Sequence, residues 1–220
     1  MEWRFDILQP ATKKALDFAS GQKWLAQEGW YLAGGTALAL QAGHRESIDL
    51  DFFLPQKTFL AAEITSRFPD DDKKLWDSTI VKEGTIYGKL CRAKVSFIAY
   101  PFFSPARPKL HYGSVAVLDK DDIAVMKVIA LSQRGRKRDF VDLFWYGRNV
   151  ASLDSVIKKL PHQYPGVGHN FEHIIKALTY FDDAEDDPMP TLFFKASWEE
   201  VKAYFRKEVP AIAKKIIGLE

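Results

Sequence analysis

The sequence predicts an α+β fold in which a mixed β-sheet with flanking helices is followed by a helical C-terminal region. Three observations support this prediction. Residues 30–54 follow the pattern strand, glycine turn, helix and strand. The stretch 79–100 is rich in Thr, Ile, Val, Tyr and Phe, which is typical of a strand meander, and helical periodicity dominates after Asp119. We therefore expect an α+β domain over residues 1–115 and a helical region packed against it over residues 116–220.

The composition of the 220-residue chain limits the classes of protein to consider. Its 47% of hydrophobic residues supplies a large core and excludes general disorder. Lys and Arg outnumber Asp and Glu by only 31 to 29, so any nucleic-acid contact must be a local patch. The single cysteine, Cys91, excludes an intrachain disulfide and a four-cysteine zinc site. No segment has the length and apolar content of a membrane span, so we expect a soluble, cytoplasmic protein.

Turn and cap residues divide the chain into predicted elements. In the first half we predict a helix over 10–29, a strand over 30–33, a turn at Gly34 and Gly35, a helix over 37–42 capped by Thr36 and ended by Gly43, and a strand over 48–54. In the second half we predict strands within 79–100 with turns at 83–84 and 92–93, a loop from 101 to 119, and helices over 119–134, 137–148, 152–160, 170–181 and 197–208. Asn170 and the pair Ser197 and Glu200 are the predicted caps of the last two helices.

Asp49 and Asp51 are the sharpest chemical feature of the sequence. On a strand, residues i and i+2 lie on one face about 6 to 7 Å apart, so the two carboxylates project together while Ile48 and Leu50 face the core. Their repulsion is roughly 2 to 3 kcal/mol at an effective dielectric constant near 20. A Mg²⁺ ion bound by both carboxylates would more than offset it. The alternative is that Arg45 neutralises Asp49 and that Asp51 is solvated.

Gly34 and Gly35, between the first strand and the helix that follows it, form the second feature. Glycines expose backbone N–H groups beside the positive end of a helix, an arrangement with which proteins hold phosphates. Alternatively they serve only a tight turn, which uses glycine for positive φ regardless of function. Because one short helix separates these glycines from Asp49 and Asp51, the pattern predicts a phosphate cradle and a divalent-metal site at one sheet edge.

Lys127 is anomalous because its helical neighbours are apolar. Its ammonium group must either reach outward to solvent or meet an anion. Arg134 lies on the same helical face and begins a basic cluster at residues 134–138, which suits a triphosphate or an RNA backbone, or is simply a solvated helix junction. Asp139 and Asp142 follow on the next helix, where the structural interpretation pairs them with neighbouring basic residues.

An acidic run occupies residues 182–187, ahead of Pro188 and Pro190. Its simplest interpretation is a solvated loop. The alternatives are a gate over the basic cluster and a docking segment for a basic partner.

The chain combines Tyr31-Leu-Ala-Gly-Gly-Thr-Ala-Leu-Ala-Leu, then Gly43-His-Arg-x-Ser-x-Asp-x-Asp-Phe-Phe53, and finally Lys127 followed by Arg138-Asp-Phe-x-Asp-Leu143. Segments within 94–101 and 183–201 add to the pattern. Together these motifs resemble those of the AbiEii/AbiGii toxin family of nucleotidyltransferases, and the resemblance covers nearly the whole chain.

The resemblance implies a polymerase-β-like nucleotidyltransferase fold and the transfer of a nucleotide from an NTP. It implies that Asp49 and Asp51 bind Mg²⁺, that Lys127 completes the catalytic set by contacting phosphate, and that Asp139 supports the site. The residues it implies in nucleotide binding are Gly34, Gly35, Thr36, Arg45, Ser47, Arg134 and Asp139. The acceptor would be an RNA end, such as that of a tRNA, or a protein hydroxyl, and a cognate antitoxin would be a partner.

Ser96 is a departure from the pattern of related nucleotidyltransferases, which place a third carboxylate on a later strand, near residues 94–97 of this chain. Serine is a poor general base and a poor metal ligand. Two functional predictions follow. The first is a Mg²⁺-dependent nucleotidyltransferase that is the toxin of a toxin–antitoxin or phage-defence system. The second is a catalytically degenerate nucleotide- or RNA-binding module that acts through a partner.

Overall fold

The chain folds into two compact units, which meet in the sequence after Lys120. The structure is a computed structural model and describes residues 2–68 and 75–217. Unit 1 comprises the residues up to Lys120, and unit 2 begins at Asp121. Within the described ranges, no helix combines the length and the apolar composition that a membrane span requires.

Unit 1 is built on one mixed β-sheet with helices around it. Its helices are a 3-10 helix at Phe5–Ile7, α1 (Pro10–Ser20), α2 (Lys23–Glu28), α3 (Gly34–Ala42) and α4 (Ala61–Ser66). Its strands are β1 (Tyr31–Ala33), β2 (Asp49–Leu54), β3 (Trp76–Lys82), β4 (Thr85–Leu90), β5 (Ala93–Ala99), β6 (Leu110–Tyr112) and β7 (Val115–Val117). In the described part of the chain these strands form a sheet of order β3-β4-β5-β2-β1-β7-β6. The β2/β5 and β1/β7 pairs are parallel, and the remaining pairs are antiparallel.

One face of this sheet carries the aromatic core of unit 1. Alternation along β2 and β5 sends Phe52 and Phe97 to this face, where their rings stack with centroids 5.2 Å apart. Trp30 meets Phe97 edge-on at 5.1 Å, and Trp24 and Trp76 lie within 6 Å of the same ring. Helix α1 contacts β2 and β5. Every second residue of β2 is therefore left for the opposite face of the sheet.

Four details of unit 1 differ from the sequence predictions. The single helix over 10–29 is wrong, because α1 ends at Ser20 and α2 starts at Lys23. Thr36 does not cap α3, which begins at Gly34 with Ala33 in the cap position. The loop over 101–119 contains the β6–β7 hairpin, whose turn residue Gly113 has φ +56°. Ile48 is 41% exposed, because β2 starts one residue after it.

The predicted strand meander is confirmed, with hairpins that turn at 83–84 and 91–92. The second turn lies one residue earlier than predicted. Both of its residues, Cys91 and Arg92, have positive φ, as a tight two-residue hairpin requires.

Unit 2 is helical, as the sequence predicts. Its elements are α5 (Lys120–Arg134, of which Lys120 closes unit 1), α6 (Lys137–Asn149), α7 (Leu153–Ile157), α8 (Leu160–Gln163), α9 (Phe171–Ala177), α10 (Asp182–Glu185) and α11 (Trp198–Ile217). The core includes Phe140, whose ring lies 5.0 Å from that of Phe181 and 5.2 Å from that of Phe205.

The predicted helix caps of unit 2 are confirmed. The Asn170 side chain accepts a hydrogen bond from the backbone N–H of His173 at 2.9 Å. At the start of α11, Ser197 donates its N–H to Glu200 at 2.7 Å, and its hydroxyl accepts from the Glu200 N–H at 3.2 Å. Helix α11 extends nine residues beyond the predicted end at 208, past an internal proline at Pro210.

Candidate active site

Strand β2 places Asp49 and Asp51 on the sheet face opposite the aromatic core. Leu50 between them is buried and faces the core, while both aspartates are half-buried. This confirms the predicted alternation along the strand. Parallel pairing with β5 sets Asp49 opposite Lys94 and Asp51 opposite Ser96.

Ser96 binds Asp51 directly. Its hydroxyl donates a hydrogen bond to Asp51 Oδ1 at 2.6 Å, and the Ser96 side chain is buried. A hydrogen bond to an ionised carboxylate is short and strong, and it favours the charged form of the acid. Ser96 therefore fixes the position of one oxygen of Asp51.

The glycine turn lies against the same carboxylate. Gly34 has φ +72°, and a Cβ at this position would fall 2.9 Å from Asp51 Oδ2. A Cβ on Gly35 would overlap the guanidinium of Arg45, which is buried and donates to the Glu46 carbonyl at 3.0 Å. Gly34 is required because its φ is positive and because a side chain would collide with Asp51. Gly35 is required because a side chain would collide with Arg45.

Thr36 and Ser47 connect α3 to the beginning of β2. The Thr36 hydroxyl donates a hydrogen bond to the backbone carbonyl of Asp49. The hydroxyl oxygens of Thr36 and Ser47 lie 2.7 Å apart. Because a hydroxyl has one proton, Ser47 must donate to Thr36. Both side chains are buried, so their hydroxyls position Asp49 in this structure.

Lys89 and Lys94 are site residues that the sequence prediction missed. Lys94 lies opposite Asp49, and antiparallel pairing of β4 with β5 sets Lys89 opposite Lys94, so all three share one sheet face. Both lysines are exposed, and their side chains form no hydrogen bond or ion pair with any described residue. In the sequence, Lys94 and Ser96 alternate with residues that are buried. This alternation alone does not show that they lie opposite Asp49 and Asp51, which follows only from the strand register.

The donor set of unit 1 fits a divalent cation of the Mg²⁺ type. Asp49 and Asp51 offer carboxylate oxygens, which such hard cations prefer. Gly34 leaves the space beside Asp51 Oδ2 that a side chain would fill. No group of three or more His, Cys, Asp or Glu side chains in 2–68 and 75–217 is arranged to hold a metal ion. Two carboxylates suffice where phosphate oxygens and water complete the shell, as in nucleotide-bound magnesium sites.

In unit 2, Lys127 is held between two buried carboxylates. Its ammonium lies 2.5 Å from Asp139 Oδ1 and 2.7 Å from Asp142 Oδ2, and both acids are fully buried. The Lys127 ammonium therefore contacts anions rather than reaching outward to solvent, and these anions are side chains of the same protein. The structure brings Lys127 and Asp139 together on α5 and α6, with Asp142 as a third member.

Arg134 adds a second positive charge to this ion-pair cluster. Its Nε lies 3.4 Å from Asp139 Oδ2, and its side chain is 54% exposed. Burial opposes ionisation of Asp139, but the charges of Lys127 and Arg134 outweigh it and hold the pKa of this carboxyl below its usual value of 3.8. Arg134 therefore pairs with a buried, ionised carboxylate, while about half of its own side chain remains in contact with solvent.

Most acids of the run at 182–187 are exposed to solvent, as predicted, but the segment begins with the helical turn α10 rather than a loop, and Asp187 is paired. Asp187 binds Arg136 at 2.6 Å and accepts the backbone N–H of Lys137 at 3.0 Å, at the first residue of α6. The buried Lys137 ammonium donates to the carbonyls of Glu185 and Asp187. The run therefore anchors the start of α6 and occupies part of the basic cluster at 134–138.

The predicted site residues thus fall into two groups. Unit 1 brings together Gly34, Gly35, Thr36, Arg45, Ser47, Asp49 and Asp51. Unit 2 brings together Lys127, Arg134 and Asp139.

Solved structures of other proteins share this fold. MenT4, a nucleotidyltransferase toxin from Mycobacterium tuberculosis H37Rv, aligns with a TM-score of 0.59 at 14% identity, covering 93% of this chain and 86% of that chain. JHP933 from Helicobacter pylori aligns with a TM-score of 0.52 at 16% identity, covering 96% of this chain and 95% of that chain. At these identities the likeness establishes the fold.

Sequence comparison establishes the family. A protein of Aquifex aeolicus (strain VF5), itself uncharacterised, is 33% identical over 186 residues, which cover 82% of this chain and 86% of that protein. The family model described as nucleotidyl transferase AbiEii toxin, type IV toxin–antitoxin system, matches residues 25–215. This match includes the glycine turn, both aspartates of β2 and the ion-pair cluster of unit 2, and the chain belongs to the AbiEii nucleotidyltransferase toxin family.

Proposed function

We propose that this protein is a Mg²⁺-dependent nucleotidyltransferase that transfers a nucleotide from an NTP to an RNA end or to a protein hydroxyl. The observation that carries the proposal is the placement of Asp49 and Asp51 on one face of β2, with Asp51 directly against the Gly34 turn. It puts two acidic oxygen donors beside the N-terminus of α3. That combination suits a metal-bound triphosphate.

Asp49 and Asp51 would hold the metal ion. When bound, Mg²⁺ supplies positive charge that neutralises phosphate oxygens and orients the triphosphate. The chain prepares these ligands in advance. Thr36 and Ser47 hold the Asp49 backbone through the Asp49 carbonyl, and Ser96 holds Asp51 through Oδ1.

The triphosphate would bind at the start of α3. The first two residues of α3, Gly34 and Gly35, have no side chains that could obstruct their backbone N–H groups. The helix dipole also favours an anion at this end of α3. Arg45 adds a buried positive charge beside Gly35. Lys94 and Lys89 offer two further cations on the sheet face that carries Asp49.

In the reaction, a hydroxyl oxygen of the acceptor forms a bond to the α-phosphorus, the bond from this phosphorus to the leaving pyrophosphate breaks, and the hydroxyl proton passes to solvent water. The cations around the site would stabilise the negative charge that develops on the transferred and leaving phosphates. Catalysis of this type depends mainly on positioning and electrostatics. The hydrogen bonds that fix Asp49 and Asp51 would position the metal ion and, through it, the triphosphate.

For unit 2 taken by itself, we propose that Arg134 is the residue available to contact a phosphate group and that Lys127 has a positioning role. The Lys127 ammonium is buried and already neutralised by Asp139 and Asp142, whereas the Arg134 guanidinium is half-exposed. Lys127 would act through Asp139, whose second oxygen faces Arg134. This division refines the expectation that Lys127 itself binds phosphate.

Label transfer tests the proposal. The purified full-length chain is offered each NTP labelled at the α-phosphate, with Mg²⁺ and either total RNA or cell-lysate protein. We expect one acceptor fraction to gain label from at least one α-labelled NTP, none from the same NTP labelled at the γ-phosphate, and none in excess EDTA. Transfer of γ-label would indicate a kinase instead, and absence of transfer despite NTP binding would contradict the proposal.

A second candidate is favoured by Ser96, which lies near the position where related nucleotidyltransferases have a third carboxylate. In that case the chain is a nucleotide- or RNA-binding module that has lost turnover and acts through a partner. The two candidates differ in a cellular assay. If expression of the chain arrests growth, replacement of Asp51 by Asn should abolish the arrest under the enzymatic proposal and leave it unchanged under the binding proposal.

Membership of a toxin–antitoxin family leads us to propose a cognate antitoxin as partner. Co-expression of the gene that neighbours this one should then restore growth in cells that the toxin arrests. Failure of neighbouring genes to restore growth would argue against an antitoxin encoded next to the toxin.

A further inference from the structure

Four aromatic rings form a continuous ladder in unit 1, which we call the aromatic ladder: Tyr31, Phe53, Tyr100 and Phe102. Tyr31 and Phe53 face each other across β1 and β2 and stack with centroids 5.9 Å apart. Phe53 meets Tyr100 at 5.6 Å, and Tyr100 meets Phe102 at 5.8 Å, both edge-to-face. These spacings are typical of interacting aromatic pairs.

The ladder starts beside the candidate metal ligands. Phe53 follows Asp51 by two residues on β2, so its ring projects from the same sheet face about 6 to 7 Å farther along the strand. From Phe53 the ladder continues to Tyr100 and Phe102, just beyond the end of β5. It therefore leads away from the acids.

Exposure increases along the ladder. Tyr31 is buried, Phe53 and Tyr100 are half-buried, and Phe102 is 55% exposed. The aromatic core around Phe97 lies on the other face of the sheet, so the ladder does not belong to that core. The exposed phenyl ring of Phe102 can offer a face to a planar partner.

Positive charge accompanies these rings. The Lys109 ammonium lies 5.0 Å from the centre of the Tyr31 ring. At the other end of the same sheet face, Lys89 and Lys94 are exposed beside Asp49. Cations together with aromatic rings suit single-stranded nucleic acid, because its phosphates bind the cations and its unpaired bases stack on the rings.

We propose that the exposed end of the aromatic ladder, at Tyr100 and Phe102, is a stacking site for unpaired bases at the end of a single-stranded RNA acceptor. The inference rests on the proposed function and adds the surface on which the acceptor lies. An RNA strand whose terminal hydroxyl lies at the acids would run past Phe53 toward Tyr100 and Phe102, where its unpaired bases would stack.

Binding measurements test the ladder without requiring turnover. The full-length protein and its Phe102→Ala, Phe102→Trp and Phe193→Ala variants are titrated into a fluorescently labelled eight-nucleotide RNA, and into the same strand with abasic residues at its last three positions. Phe193 is an exposed aromatic residue of unit 2 and serves as a matched control. Binding of a non-hydrolysable NTP with Mg²⁺ is measured on the same proteins.

We expect wild type to bind the base-bearing strand more tightly than the abasic strand. Phe102→Ala should weaken binding of the base-bearing strand by about fivefold or more and remove this preference, since stacking on one ring contributes at least that factor. Phe102→Trp should retain the preference, and Phe193→Ala should bind like wild type. NTP affinity should not change in any variant.

Three results would overturn the inference: equal binding of both strands by wild type, unchanged RNA binding by Phe102→Ala, or a loss confined to NTP binding, which would assign the ladder to the base of the donor nucleotide. The proposed function fails separately, through absence of α-label transfer. Transfer to protein alone, together with equal binding of both RNA strands, would refute the ladder and preserve the nucleotidyltransferase.

Discussion

Ser96 donates its hydroxyl proton to Asp51 Oδ1 across the parallel β2/β5 pair, at 2.6 Å. The position opposite Asp51 thus carries a neutral donor rather than a third acid. Without a bound cation, a carboxylate here would repel the Asp51 carboxylate, whereas the Ser96 hydroxyl donates a hydrogen bond to it. The site is arranged around two acids and the hydrogen bonds that fix them.

Replacing Ser96 by Ala should lower nucleotide transfer by about tenfold or more. The variant loses a hydrogen bond to a charged acceptor, which is worth about 1.5 to 3 kcal/mol, and leaves Asp51 less firmly placed. Transfer rate and thermal unfolding are measured together. Ser104→Ala, at an exposed position of unit 1, is the matched control and should behave like wild type. Full activity of Ser96→Ala would refute the positioning role.

Replacing Gly34 by Ala should destabilise unit 1 and impair the site. The residue has φ +72°, which costs an L-amino acid about 1 to 2 kcal/mol, and its new Cβ would displace the Asp51 carboxylate. Gly166→Ala provides the comparison, because no atom lies within 4 Å of the added methyl group. Denaturant unfolding and Mg²⁺ titration check the effect. Equal behaviour of the two variants would show that Gly34 has no special role.

Replacing Lys127 by Met should destabilise the protein by about 3 to 5 kcal/mol, because two buried carboxylates, Asp139 and Asp142, lose their common cation. Lys158→Met removes an exposed i,i+4 pair with Asp154 and should cost less than about 1 kcal/mol. Urea unfolding of both variants measures the difference. If Lys127→Met loses activity while its stability stays that of wild type, the lysine contacts substrate directly, as the family resemblance implied.

The ionised state of Asp139 should make stability depend on pH. Its pKa in the folded chain lies below the usual value of 3.8, so the favourable contribution of the carboxylate is complete above that value and is lost as the pH falls below it. The free-energy difference between wild type and Asp139→Asn should therefore be constant from about pH 7 to pH 5 and should shrink on further acidification. Urea titrations across this range measure it. A free-energy difference between wild type and Asp139→Asn that grows toward low pH would contradict this prediction.

The elements of this fold that the sequence predicts are those determined by local patterns. Alternation placed the acids of β2 on one face, turn residues located the strand meander, and side-chain caps located α9 and α11. The β6–β7 hairpin was missed because each of its strands has three residues, too few for periodicity to identify. The break between α1 and α2 at Gly21 required knowledge of packing.

The site was harder to predict where it depends on long-range pairing. Alternation alone shows that Lys94 and Ser96 share a face, but only the β2/β5 register sets them opposite Asp49 and Asp51. Likewise, the apolar neighbours of Lys127 predicted an unusual lysine without revealing that α6 supplies its anions. A sequence shows that a charge is buried more readily than it shows which residue neutralises it.

The decisive measurement compares α-label transfer by wild type, Asp49→Asn and Asp51→Asn over a Mg²⁺ titration. Asparagine keeps the shape of the side chain and an oxygen for Ser96 but removes the charge that a cation needs. We predict folded variants whose transfer falls by more than about 100-fold, while Asp77→Asn, an exposed acid on β3, stays fully active. Undiminished transfer by either Asp49→Asn or Asp51→Asn would contradict the assignment of these two residues as the metal-binding pair.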